Sequence, residues 1–215
     1  GRGIYENIRK DVQFLLSSNI GEVLTIFGAS LLSVMGFQLG VPLMPVHLLW
    51  INLITDTLPA FAIGMEPADE DIMKQKPRPK NENFFANGLG TAIGWQGLLI
   101  GALVLISYII GNRTDHTIGM SMAFITMSTA ELFHSFNIGT THTLLSRHLF
   151  DNPYLWVSFG VGMALQFIVM YVPGLNTAFT LNPLNAEYLG IAVGLAFVIV
   201  LACELVKAVQ RHTAK

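Results

Sequence analysis

The chain has 215 residues, 52% of them hydrophobic and only 12% charged, with a formal net charge of −2. A soluble domain carries about 25% charged residues, so this composition excludes an ordinary soluble globular protein. The net charge itself says little, because the charges are segregated along the chain, and no nucleic-acid partner is expected. A single cysteine, Cys203, excludes an internal disulfide and a cysteine-based metal site.

In chain order, a polar start, GRGIYENIRK, leads into a first apolar segment at 13–37, followed by others at 43–64, 89–111, 118–139, 153–172 and 186–208. Each is about 20 residues or longer, enough for an α-helix to cross the hydrocarbon. The predicted fold is therefore all-α, a polytopic membrane protein built as a bundle of six transmembrane helices. Most connections are short. The exception joins the second and third spans, a polar loop over 65–88 stiffened by Pro67, Pro77 and Pro79 and suited either to a flexible linker or to docking a cytoplasmic domain. Arg2, Arg9 and Lys10 precede the first span, Lys74, Lys76, Arg78 and Lys80 fill the long loop, Arg147 follows the fourth span, and Lys207, Arg211 and Lys215 close the chain. Of the 12 basic residues, only Arg113 falls on the other side. The positive-inside rule thus predicts both termini, 1–12 and 209–215, in the cytoplasm.

Three carboxylates interrupt these apolar runs: Glu22 in SSNIGEVLTIF, Asp56 in WINLITDTLPAF and Glu131 in ITMSTAELFHSF. An ionised group in the bilayer core needs a partner or a wet cavity. No Lys or Arg lies in those runs, so the natural partner is a passing cation. Asn19 precedes Glu22 by three residues, and Asn52, Thr55 and Asp56 share an i, i+3, i+4 spacing, so each set is predicted to occupy one helix face. Pro59 lacks an N–H and so frees the carbonyl of Thr55, and irregular backbone at membrane depth lines cavities. Gly21 and Gly28 permit close approach of a neighbouring helix. The all-oxygen set of carboxylates, amides and hydroxyl suits a hard cation such as Ca²⁺ or Mg²⁺ and disfavours soft metals. The bland alternative is helix-bridging amides with protonated acids. His134, three residues after Glu131, reads as a packing or proton-linked residue. His47, Trp50, Tyr108, Tyr154, Trp156 and Tyr171 are predicted at the membrane interfaces. Asn112-Arg113-Thr114 is a short match to a glycosylation acceptor.

SSNIGEV followed by LLWINLITDTLPAFAIGMEPAD resembles the fifth and sixth transmembrane helices of P-type Ca²⁺-ATPases, and GRGIYENIRK resembles the stalk that enters the fifth. Residues 81–215 match more loosely, as four further spans. The resemblance implies metal ligands at Asn19, Glu22, Asn52, Thr55 and Asp56, with Asp56 serving both calcium sites. Through ELFHSFN, which is similar to the eighth-helix segment, it implies Glu131 as the acid that completes the first site. It implies Ca²⁺ as the transported ion, with ATP and Mg²⁺ handled only by domains not contained in this sequence. The expected partners are the amino-terminal membrane helices and cytoplasmic domains of the same pump, together with the lipid bilayer.

No phosphorylation motif, nucleotide-binding domain, actuator loop or fourth-helix PEGL-type segment occurs in these residues, so the expectation is a transport half unable to hydrolyse ATP by itself, in a bacterial plasma membrane. The resemblance also implies that the 66–82 loop contacts the phosphorylation domain, and that emptied carboxylates take up protons, carried by Glu22 and Glu131, in exchange for the metal. The rival readings are a P-type pump for Mn²⁺, Na⁺/K⁺ or H⁺, a secondary cation/proton antiporter, and a membrane-assembly module. Gly21 before the glutamate favours the calcium branch, the lack of repeats disfavours the antiporter, and one-faced ligand spacing on two successive helices disfavours the assembly module.

Overall fold

The computed structural model describes residues 1–68, 71–139 and 147–214. Lys215, counted above with the basic residues, and 69–70 of the long loop lie outside the described residues. Helix α1 runs unbroken from Arg2 to Val34, so the predicted stalk and first span are one rod. It stops where Gly36 takes a positive φ of 105°. The Gly36 N–H then donates to Ser33 and the Phe37 N–H to Leu32, the paired bonds that satisfy a helix's last carbonyls.

The second span is a composite. Helix α2 (Pro45–Trp50) begins on a proline, whose missing N–H costs nothing in a first turn. It passes into a π-helical turn over Ile51–Thr55 and continues as α3 (Thr57–Gly64). The long loop follows, with a 3-10 turn at Ile72–Lys74. Next come α4 (Leu89–Asn112), α5 (His116–Gly139) and α6 (Pro153–Tyr171). A short α7 (Leu175–Ala178) precedes α8 (Ala186–Thr213). The side chains of Asn152 and Asn185 cap α6 and α8 by accepting from the N–H groups of Tyr154 and Tyr188.

Glycines let α1 and α4 cross closely. A Cβ on Gly97 would lie 2.5 Å from Cγ2 of Ile20 and 3.0 Å from the Ser17 carbonyl; one on Gly101 would lie 2.9 Å from Cβ of Leu24. Gly21 and Gly28 receive Ile100 and Leu105 in the same way, as expected of small residues between membrane helices. Helix α5 is the centre of the bundle, packed by α1, α3, α4, α6 and α8. From Gly119 to Gly139 every residue except Phe133 is buried.

Among the described residues, five helical spans are long and apolar enough to cross a membrane: those beginning at Arg2, Pro45, Leu89, Pro153 and Ala186. The sixth predicted span is present as α5 at full length, but it does not reach the same apolarity. A helix wrapped by protein can carry Ser, Thr, His and Glu that a lipid-facing helix cannot. Two of the aromatic rings expected at the membrane interfaces are enclosed by protein. His47 is fully buried, with Nδ1 accepting from the Met44 N–H at 3.0 Å and Nε2 donating to the Phe179 carbonyl at 2.6 Å. Tyr108 is fully buried and donates to the Leu39 carbonyl. Both rings hold connecting segments down onto the helix ends, whereas Tyr154, Trp156 and Tyr171 stay exposed.

Candidate metal centre

Glu22 on α1, Asp56 after the π turn and Glu131 on α5 converge. Each offers a carboxylate oxygen, and the three oxygens lie within 4.8 Å of one another. All three residues are buried, Glu131 completely. The Gly21 contact with Ile100 seats α1 deep enough for the adjacent Glu22 to reach the cluster. The π turn does the corresponding work on the second span. Its extra residue per turn, seen in the Asp56 N–H donating to the Ile51 carbonyl at 2.9 Å, leaves both Thr55 and Asp56 buried. Such bulges gather at functional sites.

The centre lacks compensation from the protein. One oxygen of Glu22, one of Asp56 and both of Glu131 are buried without a hydrogen-bond partner, as are the hydroxyls of Ser18 and Ser128. Those serines lie one turn before Glu22 and Glu131 on the same helix faces. Two ionised carboxylates at 4–5 Å repel by about 3–4 kcal/mol at an effective dielectric of 20, and three such pairs exist here. Among the described residues, the ion pairs lie elsewhere, between Lys74 and Asp71 and between Lys207 and Glu204. An oxygen-lined cluster of excess negative charge, open in its valences, is suited to a hard divalent cation.

The predicted ligands do not all share this burial. Glu22, Thr55, Asp56 and Glu131 are buried, but Asn19 and Asn52 are exposed. Asn52 nonetheless lies beside the Glu22 carboxylate. Asn19 sits one turn from Glu22 on a face that also exposes Leu16, Val23 and Phe27. Sequence reasoning missed the π turn and gave Ser18 and Ser128 no role. The signal for the turn was Pro59, which cannot donate to Thr55; the serines were visible only as neighbours of the acids.

Toward the end of the bundle bearing both termini, a network of polar side chains is paired, although Oδ1 of Asn137 has no partner. Gln13 donates to Oε1 of Gln96 at 3.0 Å, and Nε2 of His134 donates to the same oxygen at 3.0 Å. Nδ1 of His134 accepts from Asn137 at 3.2 Å. His134 is thus a packing residue tied to α4, in line with expectation. Lys10 donates to the Gly139 carbonyl at 3.1 Å and Lys207 to that of Asn137 at 2.8 Å, so two cations cap the negative end of α5. Beyond the second span, Asn152 donates to Glu66 Oε2 at 2.7 Å and to the Ala62 carbonyl at 2.8 Å, and Asn7 donates to the Glu66 carbonyl at 2.9 Å. Burial pushes the Glu66 carboxyl above its ordinary range; Asn152 and Lys10 oppose the shift and Asp151 adds to it.

Residues 40–209 match the family described as "Cation transporting ATPase, C-terminus". The chain belongs to this family. Relatives of this cation-transporting ATPase region include "Calcium-transporting ATPase 1" of Bacillus cereus, 36% identical over 99% of this chain and 25% of its own length. "Calcium-transporting ATPase" of Bacillus subtilis is 40% identical over 83% of this chain and 20% of its own length. An Aspergillus fumigatus "Endoplasmic reticulum calcium ATPase srcA" is 29% identical over 99% of this chain and 25% of its own length. The chain therefore spans a quarter or less of each of these relatives, and it corresponds to the carboxy-terminal membrane region of the ATPase.

Proposed function

We propose that this chain is the cation-binding and transport half of an ATP-driven calcium pump. Glu22, Asp56 and Glu131 are the charged ligands, and Asn19, Asn52 and Thr55 supply neutral oxygens. The observation that carries this reading is the convergence of three buried carboxylates within 4.8 Å with unpartnered oxygens; the names of the relatives favour Ca²⁺ over other hard cations.

Each residue has a definite task. Asp56, brought inward by the π turn, bridges the α1 and α5 carboxylates through the ion. Glu22 holds the ion from α1, and Asn52 steadies that carboxylate. Glu131 closes the site from α5, which five neighbouring elements hold in place. Asn19 and Asn52, exposed here, face the amino-terminal membrane helices of the same pump, which cover them and complete a second site. Both termini and the long loop lie in the cytoplasm, where domains elsewhere in the pump bind ATP and Mg²⁺. Movement of those domains reaches Glu22 along α1, and protons replace the departing cation to restore charge balance among the crowded carboxylates. The membrane is a bacterial plasma membrane.

The test is ATP-driven uptake of Ca²⁺ and of Mn²⁺ into vesicles carrying the full-length protein, with and without Glu131→Gln. Ca²⁺ uptake lost or halved in stoichiometry by the substitution supports the reading. Uptake of either ion that is indifferent to Glu131 assigns it to structure alone, and no ATP-driven uptake of either ion overturns the proposal.

A further inference from the structure

On α1 and α5 most buried hydroxyls are occupied by their own helix. Ser17 donates to the Gln13 carbonyl at 2.6 Å and Thr25 to that of Gly21 at 2.7 Å. Ser121 donates to the Thr117 carbonyl at 2.7 Å and Ser135 to that of Leu132 at 2.6 Å. Such a bond is the ready choice inside a helix, where a carbonyl of the preceding turn is within reach. Thr126 turns instead to Oγ of Ser107 at 2.7 Å. Ser18 and Ser128 do neither. Both are fully buried, and neither hydroxyl has a partner. A buried hydroxyl left unmet is costly, so its place calls for a cause.

Their positions supply one. Ser18 lies four residues before Glu22 and Ser128 three before Glu131, so each shares the face of its acid. The two helices run in opposite directions, because the start of α1 meets the end of α5 where Lys10 donates to the Gly139 carbonyl. Preceding its acid therefore puts Ser18 toward the end of the bundle bearing the termini, and Ser128 toward the opposite end. The hydroxyls bracket the carboxylates, each about 4.5–6 Å along the helix axis from its acid.

The chemistry of the centre calls for oxygens of this kind. A calcium ion takes about six to eight. Three acids already exceed the charge of a divalent cation, so further ligands are best neutral. Thr55 is buried with the acids, whereas Asn19 and Asn52 lie on exposed faces. Neutral oxygens enclosed with the carboxylates are therefore few.

We propose that the hydroxyls of Ser18 and Ser128 are neutral ligands of the cation held by Glu22, Asp56 and Glu131, each directly or through a single bound water. The proposal rests on the calcium reading above and adds two residues to it. A hydroxyl that coordinates through its oxygen keeps its proton to donate to a neighbouring carboxylate. A cation shedding its hydration water thus meets a neutral oxygen on the approach to the acids from either end.

The experiment is equilibrium binding of radioactive Ca²⁺ to the full-length protein in detergent, joined to melting temperatures in chelator and in saturating Ca²⁺. It compares wild type with Ser18→Ala, Ser128→Ala, Ser135→Ala and Glu131→Gln. Ser18→Ala and Ser128→Ala should each weaken Ca²⁺ binding by about fivefold or more, roughly 1 kcal/mol. In chelator their melting temperatures should stay level or rise, because an unmet buried hydroxyl has been removed. Ser135→Ala loses a hydroxyl already bonded to Leu132 and should keep its Ca²⁺ affinity. Affinity retained in Ser18→Ala and Ser128→Ala overturns the proposal, and a lower melting temperature in chelator with affinity intact assigns both serines to packing. An equal loss of affinity in Ser135→Ala overturns it as well. Wild type that binds no Ca²⁺, or binding indifferent to Glu131→Gln, overturns the calcium reading itself, a result distinct from serine variants that merely bind as wild type does.

Discussion

Two clusters of buried polar side chains lie about one turn apart on α5, and they are built on opposite rules. Around His134, the ring nitrogens and both ends of the Gln96 amide find partners on α1, α5 and α8. Around Glu131, the hydroxyl of Ser128 finds none and no standing donor reaches either carboxylate oxygen; the side chain facing it is another acid, Asp56. Buried polar groups are normally satisfied, and each exception calls for a cause. The first cluster joins helices and leaves only Oδ1 of Asn137 without a partner; in the second the unpartnered atoms are concentrated on three converging carboxylates. Burial is common to both, so the concentration of unmet carboxylate oxygens is what sets the second apart.

The widest separation between the clusters is expected from substitution. In the full-length protein, Asp56→Asn should weaken equilibrium Ca²⁺ binding by about 100-fold or more, close to 3 kcal/mol. In chelator it should raise the melting temperature, because one repelling charge is gone. A variant that binds Ca²⁺ normally, or that melts lower without Ca²⁺, breaks the contrast. Gly97→Val puts side-chain atoms where a Cβ alone already meets Ile20 and the Ser17 carbonyl, and overpacking of this kind costs about 1–3 kcal/mol. Because Glu22 rides on α1, both the melting temperature and the Ca²⁺ affinity should fall. Gln96→Leu strips the buried His134 of its acceptor at a cost of about 1–3 kcal/mol. Here the melting temperature should drop with Ca²⁺ affinity unchanged, and a change in affinity would merge the two clusters into one.

The smallest effect concerns Glu66. Its carboxyl is raised by burial, so the folded state holds the proton more tightly than the unfolded chain does. The stability this gives is present at acid pH and is lost as pH rises from the ordinary glutamate range through the raised value. Melting profiles against pH should therefore decline less steeply over that window in Glu66→Gln than in wild type; parallel profiles would remove Glu66 as the cause.

Much of this was legible in the sequence because the bilayer is a severe solvent. Six long apolar runs give the helices, and three uncompensated acids within them stand out as Glu22, Asp56 and Glu131. What was not legible depends on partners distant in sequence. His47 and Tyr108 were read by residue type as interfacial, but their place is set by the Phe179 and Leu39 carbonyls, which no local pattern reveals. Asn19 and Asn52 carry the right spacing, yet spacing says nothing of what covers a face. The π turn escaped because a single extra residue per turn leaves the apolar pattern nearly unchanged.

The central position of α5 has a consequence for how the protein enters the membrane. The helix that organises the bundle is the one whose own composition is least suited to lipid, while α4, joined to it by a turn at Arg113–Asp115, is among the more apolar. Gly111 and Gly119 bring the two together almost backbone to backbone, a Cβ on Gly111 lying 2.8 Å from Cα of Gly119. During synthesis α5 thus reaches the bilayer as the second arm of a hairpin whose first arm has the stronger affinity for lipid. Its Glu, His and Ser side chains wait for α6 and α8 to shelter them, so the order in which the spans leave the ribosome becomes part of how the centre is assembled.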